Sequence, residues 1–276
     1  MQTLRKGTRN AEAVVMLQEL LNRAGRPVAI DGVFGPATDR AVREYQMASG
    51  LVVDGIVGEQ TWLRLIADAP VYASERSDKF LSERDLIRAA KELGVELAAI
   101  KAVTEVEAGG HGFLGGKPKI LFEGHIFWKQ LIAHGREPSA SRAGNEDILY
   151  PRWTREHYLG GVREHERLDR ARHIHEEAAL ESASWGLFQI MGFHWQHLGY
   201  DGVQDYARRM GENEGEQLRA FTRFALANGL VTYLKKLLWA GFARRYNGPA
   251  YKVNRYDEKL ERAYRRYSAD RNPCQD

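Results

Sequence analysis

Two glutamates, Glu105 and Glu107, offer the first chemistry in this sequence. They close the stretch Leu97-Ala-Ala-Ile-Lys-Ala-Val-Thr-Glu-Val-Glu107, and the pair Gly109-Gly110 follows. Leu93, Ile100 and Val103 recur at a helical spacing. Glycine takes the left-handed conformation that closes a helix, so the pair predicts a stop there. At about 100° per residue, Glu107 falls about 20° from Ile100, on the apolar stripe. Glu105 falls about 140° away, beside Lys101 and facing water. A carboxylate on an apolar face at a helix C-terminus is desolvated and meets the negative end of the helix dipole. Both effects favour its protonated form. An acid that keeps its proton near neutral pH can protonate a leaving oxygen, which is what glycoside hydrolysis needs. A glutamate that merely closes a helix beside a lysine or arginine has the same spacing, and spacing alone favours that plainer reading.

Glycoside hydrolysis normally demands a second carboxylate, as nucleophile or as base for water. Lys119-Ile-Leu-Phe-Glu-Gly-His125 is short and apolar between Pro118 and Gly124, and predicts an extended segment. It would deliver Glu123 and His125 opposite the helix end. Glu123 is therefore the second candidate, with a structural ion pair or a loop-orienting hydrogen bond as its alternative role. In Ser182-Ala-Ser-Trp-Gly-Leu-Phe-Gln-Ile-Met-Gly192, glycine within an apolar run points to close backbone approach, and Gln189 needs a partner if buried. Phe242-Ala-Arg-Arg-Tyr-Asn-Gly-Pro249 sets Tyr246 and Asn247 at the end of a helix. Histidines cluster at His173, His175, His194 and His197, but no His-Glu-x-x-His pattern occurs and no cysteine is near. His173 and His175, two apart on a helix, diverge. No metal and no cofactor is expected.

The elements that must hold these groups fall into a mainly α chain. Near the start, Asp31-Gly-Val-Phe-Gly-Pro-Ala-Thr38 and Asp54-Gly-Ile-Val-Gly-Glu-Gln-Thr61 share the pattern Asp-Gly-x-x-Gly-x-x-Thr. Each opens with a turn dipeptide and ends with a threonine placed to start a helix. Val14, Leu17, Gln18 and Leu21 precede them on one helical face. The pattern predicts a small three-helix domain over 1–67, with Asp31 and Asp54 as turn formers and Phe34 and Tyr45 as packing residues. Residues 68–79 lose periodicity and predict a linker. Ser82 with Asp85 is a capping start for a second, larger α-helical domain with a short β element over 80–276. Residues 163–181 predict one charged amphipathic helix.

Bulk properties narrow the function classes. The 276 residues suit one large or two medium domains, with 43% hydrophobic and 28% charged residues, as in a soluble globular protein. A net charge of +3, with no basic run interleaved with aromatics, argues against nucleic acid and suits an anionic polymer. The single cysteine, Cys274, leaves no disulfide to form within the chain. No apolar run is long enough to span a bilayer, so no stable membrane insertion is expected. The start lacks the apolar core of a signal peptide. The basic, tyrosine-rich stretch 256–267 predicts a solvated helix face.

Residues 4–66 resemble the peptidoglycan-binding domain of bacterial and phage wall hydrolases, through the doubled Asp-Gly-x-x-Gly-x-x-Thr with Leu17-Gln18 and Tyr45-Gln46. Three later segments in order resemble the lysozyme and lytic-transglycosylase superfamily: Glu107-Ala108 at a helix end, Ser184 to Met191, and Tyr246 to Pro249. Lys119-Ile-Leu-Phe-Glu-x-His and Ser-Trp-Gly-x-Phe-Gln-Ile-Met-Gly are similar more narrowly to the N-acetylmuramidase domain of modular phage endolysins. The resemblance covers residues 81–267. It implies Glu107 as the catalytic acid, and Gln189, Tyr246, Asn247 and Ser184 as residues shaping a sugar site. It implies peptidoglycan as the partner of a monomer that waits in the host cytoplasm and reaches the wall once the membrane is permeabilised. Ala108 stands where that superfamily usually has serine. A transglycosylase manages with one acid, and a wall-binding protein with none, so both remain alternatives.

Overall fold

The computed structural model describes residues 2–8, 10–68, 79–108 and 111–269. The expected linker, save its end residues, and the Gly109-Gly110 stop and Cys274 lie outside the described residues. In chain order the helices are α1 (Ala11–Arg23), α2 (Pro36–Ala48), α3 (Glu59–Ala67), α4 (Glu83–Leu93), α5 (Leu97–Glu107), α6 (Gly124–Ala133), α7 (Glu164–Ile174), α8 (Glu176–Glu181), α9 (Val203–Met210), α10 (Glu214–Ala227), α11 (Val231–Lys235), α12 (Trp239–Tyr246) and α13 (Tyr256–Ala269). The strands are short: β1 (Phe113–Leu114), β2 (Lys117–Pro118), β3 (Ile120–Phe122), β4 (Ala183–Trp185) and β5 (Ile190–Met191). The chain is mainly α, as its periodicity predicts. It divides into two compact units, Met1–Lys79 with Phe113–Ser184, and Phe80–Gly112 with Trp185–Asp276.

In the first unit, α1 to α3 close over Leu17, Leu20, Leu21, Phe34, Val42, Tyr45, Trp62 and Leu65. The repeated motif explains the two turns. Gln18, fully buried, donates to Asp31 Oδ1 at 2.8 Å and to Thr38 Oγ1 at 3.1 Å, and accepts from the Gly32 amide at 2.9 Å. Gln46 repeats this with Asp54 at 3.0 Å, Thr61 at 3.3 Å and the Gly55 amide at 3.0 Å. Gly32 and Gly55 both have positive φ, which glycine adopts without strain. Asp31 and Asp54 are turn formers, and Phe34 and Tyr45 are core.

The rest of that unit starts with an antiparallel hairpin pairing Phe113 with Pro118 and Leu114 with Lys117. Its two-residue turn, Gly115-Gly116, needs positive φ at both positions. β3 then runs beside β4, and the Glu123 amide donates to the Ser182 carbonyl at 3.0 Å. The single helix predicted over 163–181 is two. His175 is extended (φ −160°, ψ 109°), and its ring Nδ1 accepts from the Ala178 amide at 3.3 Å, so it caps α8 rather than continuing α7.

In the second unit, Ser82 and Asp85 form the predicted capping box and α4 ends at left-handed Gly94. α5 buries Ala98, Ala99, Ile100, Ala102 and Val103. These mostly small side chains let α13 lie close along α5, with Leu260 and Ala263 of α13 buried. α10 carries two polar groups on its buried face, Glu214 and Gln217. Among the described residues no helix is long and apolar enough to cross a membrane.

Candidate active site

The second unit brings four of the six predicted site residues into it. Glu107 ends α5 half-buried, and Asn247, capping α12, donates from Nδ2 to its Oε1 at 2.9 Å. Burial pushes the Glu107 carboxyl up to about 7, against the opposing pull of the Asn247 hydrogen bond and the Lys259 charge on α13. Glu105, about half a turn back along the same helix, is exposed. It accepts from Tyr267 Oη at 2.7 Å and pairs with Arg266, whose hydrogen bond holds its carboxyl below the usual range. Two glutamates with the same neighbours in sequence thus differ in protonation because they face opposite ways.

Tyr246 lies under the same group. Its hydroxyl donates to the Phe188 carbonyl at 3.0 Å, and its ring stacks on Phe242 and meets Phe221 and Phe224 edge-on. Burial, then the Glu107 charge, push its phenol well up, so it stays a donor. Gln189 sits in the turn between β4 and β5 with φ +51°, a left-handed conformation that costs a non-glycine residue of order 1 kcal/mol. Its amide donates to the Gly186 carbonyl at 2.8 Å. Such strain persists where the surroundings over-determine it.

Those surroundings come from α10. The Gln217 amide accepts from Leu187 N at 2.7 Å and donates to the carbonyls of Gly112 at 3.2 Å and Met210 at 2.8 Å. Buried Glu214 accepts from Gly112 N at 2.7 Å and Leu81 N at 3.0 Å. A Cβ on Gly186 would stand 2.5 Å from Gln217 Cδ, and one on Gly112 1.9 Å from Gln217 Oε1. Both glycines are therefore required by close approach. One helix face holds the chain five residues after Glu107 and the turn that carries Gln189. On the Glu105 side of α5, a separate cavity of about 440 Å³ is lined by Thr104, Lys101, Glu105, Glu214 and Tyr267. Thr104 Oγ1 is buried with no hydrogen-bond partner among the described residues.

The other two predicted residues belong to the first unit. Glu123 takes the N-cap position of α6, 15% exposed. Tyr158 Oη donates to its Oε2 at 2.7 Å. His125 Nδ1 lies 3.2 Å from the same oxygen, too poorly aligned to count as a hydrogen bond. Burial lowers the His125 pKa against the attraction of Glu123. Burial and Glu123 together raise that of Tyr158. Ser184 is buried on β4, its hydroxyl 3.5 Å from the Leu121 carbonyl, a contact at the limit of hydrogen bonding.

A buried ion pair underlies this group. Glu164 Oε2 meets Arg167 Nη1 at 2.9 Å, each 1% exposed. Arg167 donates to the Phe122 carbonyl at 2.8 Å, the residue before Glu123, and Glu164 accepts from Leu159 N and Gly160 N, the residues after Tyr158. Among the described residues, no three histidine, cysteine, aspartate or glutamate side chains converge as metal ligands. His173 and His175 serve their own helices instead. Sequence reasoning missed Tyr158, Glu164, Arg167, Glu214 and Gln217. The signal available for the last four was a polar pair at i, i+3 near a helix start, which an exposed helix shares.

Residues 96–268 match the family of N-acetylmuramidases. The chain belongs to that family. Residues 10–65 match the putative peptidoglycan-binding domain. This N-acetylmuramidase is similar over 97% of its length, at 45% identity and TM-score 0.68, to the crystal structure of a Burkholderia AP3 phage endolysin, all of which it covers. It is 46% identical over 68 residues to the zinc D-Ala-D-Ala carboxypeptidase of Streptomyces albus G, 23% of this chain and 26% of that protein. It is 53% identical over 36 residues to an uncharacterized protein of Kitasatospora aureofaciens, 13% and 30% of the two chains. It thus spans between a quarter and a third of the curated relatives it matches.

Proposed function

We propose that this N-acetylmuramidase is a phage endolysin that hydrolyses the β-1,4 bond between N-acetylmuramic acid and N-acetylglucosamine in bacterial peptidoglycan. The wall-binding module over 1–67 holds it on the polymer, and residues 80–276 cleave. It works as a monomer, without nucleic acid or membrane insertion. It is held in the host cytoplasm until the membrane is permeabilised.

The observation that carries this reading is the Glu107 carboxyl, pushed up to about 7 by burial yet hydrogen-bonded by Asn247. A carboxyl with that pKa is protonated in a large fraction of molecules at neutral pH and gives its proton to the glycosidic oxygen as the C1–O bond breaks. The protonated oxygen leaves with its sugar, and positive charge develops on the anomeric carbon of the sugar left behind. Glu123 is the second carboxylate, orienting water or stabilising that oxocarbenium-like charge. Gln189, Tyr246, Asn247 and Ser184 shape the sugar site. The aligned 45% identity with a phage endolysin supports the biological setting.

The test is mass spectrometry of soluble fragments from purified peptidoglycan, with wild type and Glu107→Gln. Reducing N-acetylmuramic acid ends that disappear in Glu107→Gln agree with the proposal. Ends carrying 1,6-anhydro-N-acetylmuramic acid make the chain a lytic transglycosylase. Equal lysis by both proteins removes Glu107 from the chemistry.

A further inference from the structure

Six tryptophans are present. Trp62, Trp185 and Trp239 are buried, Trp128 and Trp195 half-buried, and Trp153 is 58% exposed. A single exposed apolar side chain is ordinary on a protein surface. Trp153 is distinguished by what holds it and what stands beside it. The Arg155 guanidinium lies 5.5 Å from its ring centroid, a cation–π contact against one face. Its side chain reaches the Tyr158 hydroxyl, the group that donates to Glu123. One tyrosine therefore separates the exposed indole from the second carboxylate.

The segment bearing Trp153 is tied at both ends to the same buried ion pair. Arg167 Nη2 donates to Tyr150 Oη at 3.3 Å and to the Asp147 carbonyl at 2.9 Å, before the segment. Glu164 Oε1 accepts from Leu159 N at 2.7 Å and Gly160 N at 2.9 Å, after it. Between them, the Glu156 amide bonds Thr154 Oγ1 at 3.2 Å. An indole fixed by its neighbours loses little side-chain entropy when a ligand covers it. A flat, electron-rich ring presented to water beside a carboxylate fits the C–H face of a pyranose, whose apolar side stacks while its hydroxyls stay hydrated.

We propose that Trp153 is a saccharide-stacking platform beside Glu123, taking an N-acetylhexosamine ring of the β-1,4-linked glycan, with Arg155 bracing the indole from behind. This rests on the reading that Glu123 belongs to the sugar site. It adds a specificity residue to that site.

The experiment measures binding of a β-1,4-linked N-acetylglucosamine hexamer by calorimetry, in the full chain carrying Glu107→Gln to prevent cleavage. Trp153→Ala and Trp153→Tyr are compared in that background, and KM and kcat on soluble peptidoglycan are compared with Glu107 intact. Trp153→Ala is expected to weaken hexamer binding about tenfold and to raise KM by a similar factor with kcat little changed, since tenfold corresponds to about 1.4 kcal/mol, the scale of one aromatic stacking contact. Trp153→Tyr is expected to recover most of the loss, which a merely structural role for the indole does not predict. Hexamer binding and KM within twofold of the parent in Trp153→Ala overturn the platform. Glu123→Gln, assayed for turnover in parallel, separates the two claims. Weakened binding in Trp153→Ala supports the platform whether or not Glu123→Gln is active, and unchanged binding overturns it in either case.

Discussion

Glu107 and Glu123 stand at opposite kinds of helix end. Glu107 closes α5, where the macrodipole disfavours negative charge, and the described structure gives it one donor in an apolar setting. Glu123 opens α6, where the macrodipole favours negative charge, with a tyrosine hydroxyl on it and a histidine ring close by. The supports beneath them differ in the same sense. The Glu107 unit uses a neutral amide and a carboxylate, Gln217 and Glu214, to grip backbone. The Glu123 unit uses a fully buried ion pair, Glu164 and Arg167. The difference teaches that the fold prepares one carboxyl to carry a proton and surrounds the other with polar groups, and that each unit also carries a buried polar pair three residues apart on one helix.

The contrast breaks most directly through the acids themselves. Glu107→Gln is expected to lower the rate of fragment release from peptidoglycan by about 10³-fold or more, the scale of a lost general acid. Glu123→Gln is expected to cost less, about 10²-fold. Equal losses show that both groups take part in proton transfer. A Glu107→Gln enzyme at wild-type rate removes the basis of the comparison.

The supports come next in size. Arg167→Met leaves Glu164 buried without its cation and is expected to destabilise the fold by about 3–5 kcal/mol. Gln217→Met strands the Leu187 amide and the Gly112 and Met210 carbonyls but no charge, and is expected to cost about 2 kcal/mol. Denaturant midpoints measure both. A smaller cost for Arg167→Met than for Gln217→Met overturns the ordering.

A smaller effect concerns the charge on Glu107. Its pKa rises from 4.5 unfolded to about 7 folded, so between those values the folded state binds more protons than the unfolded state. Stability therefore falls as pH rises through that window, and the penalty is complete above pH 7. The full displacement corresponds to about 3 kcal/mol. The side chain is only half-buried, and solvent screening brings this to about 2. Glu107→Gln removes the penalty and still accepts from Asn247. It is expected to be more stable than wild type by about 2 kcal/mol at pH 8 and equal to it at pH 4, by thermal or denaturant unfolding.

Much of this was legible in the sequence. Periodicity separated Glu105 from Glu107 because a helix rotates by a fixed angle per residue, and that angle survives packing. The doubled Asp-Gly turn was legible because glutamine, aspartate and threonine recur at matched spacing and satisfy each other locally. The break at His175 was not, since a histidine inside a charged periodic stretch differs from its neighbours only once its ring finds the Ala178 amide. The buried roles of Glu164, Arg167, Glu214 and Gln217 were hidden for a related reason. Several of their partners are backbone groups distant in sequence, such as Phe122 and Gly112, and composition carries no trace of a backbone contact. Glu123 was found as a residue, but its link to Tyr158 joins positions 35 apart.

Asn247→Ala tests the smallest element of the contrast, the hydrogen bond that Asn247 donates to Glu107. Its hydrogen bond favours the ionised carboxylate, so removing it raises the Glu107 pKa further. A general acid is active in its protonated form, and the alkaline limb of the rate profile follows its pKa. The limb of Asn247→Ala is therefore expected to move to higher pH, and its activity at pH 8 relative to pH 6 to rise. The change is held within about tenfold, since one hydrogen bond to a charged group contributes about 1.5 kcal/mol. Absolute activity falls at every pH if Asn247 also touches the sugar, but a uniform fall does not move the limb. An alkaline limb that shifts to lower pH shows that Asn247 instead supports the protonated acid, and the electrostatic account of Glu107 then fails at its hydrogen bond with Asn247.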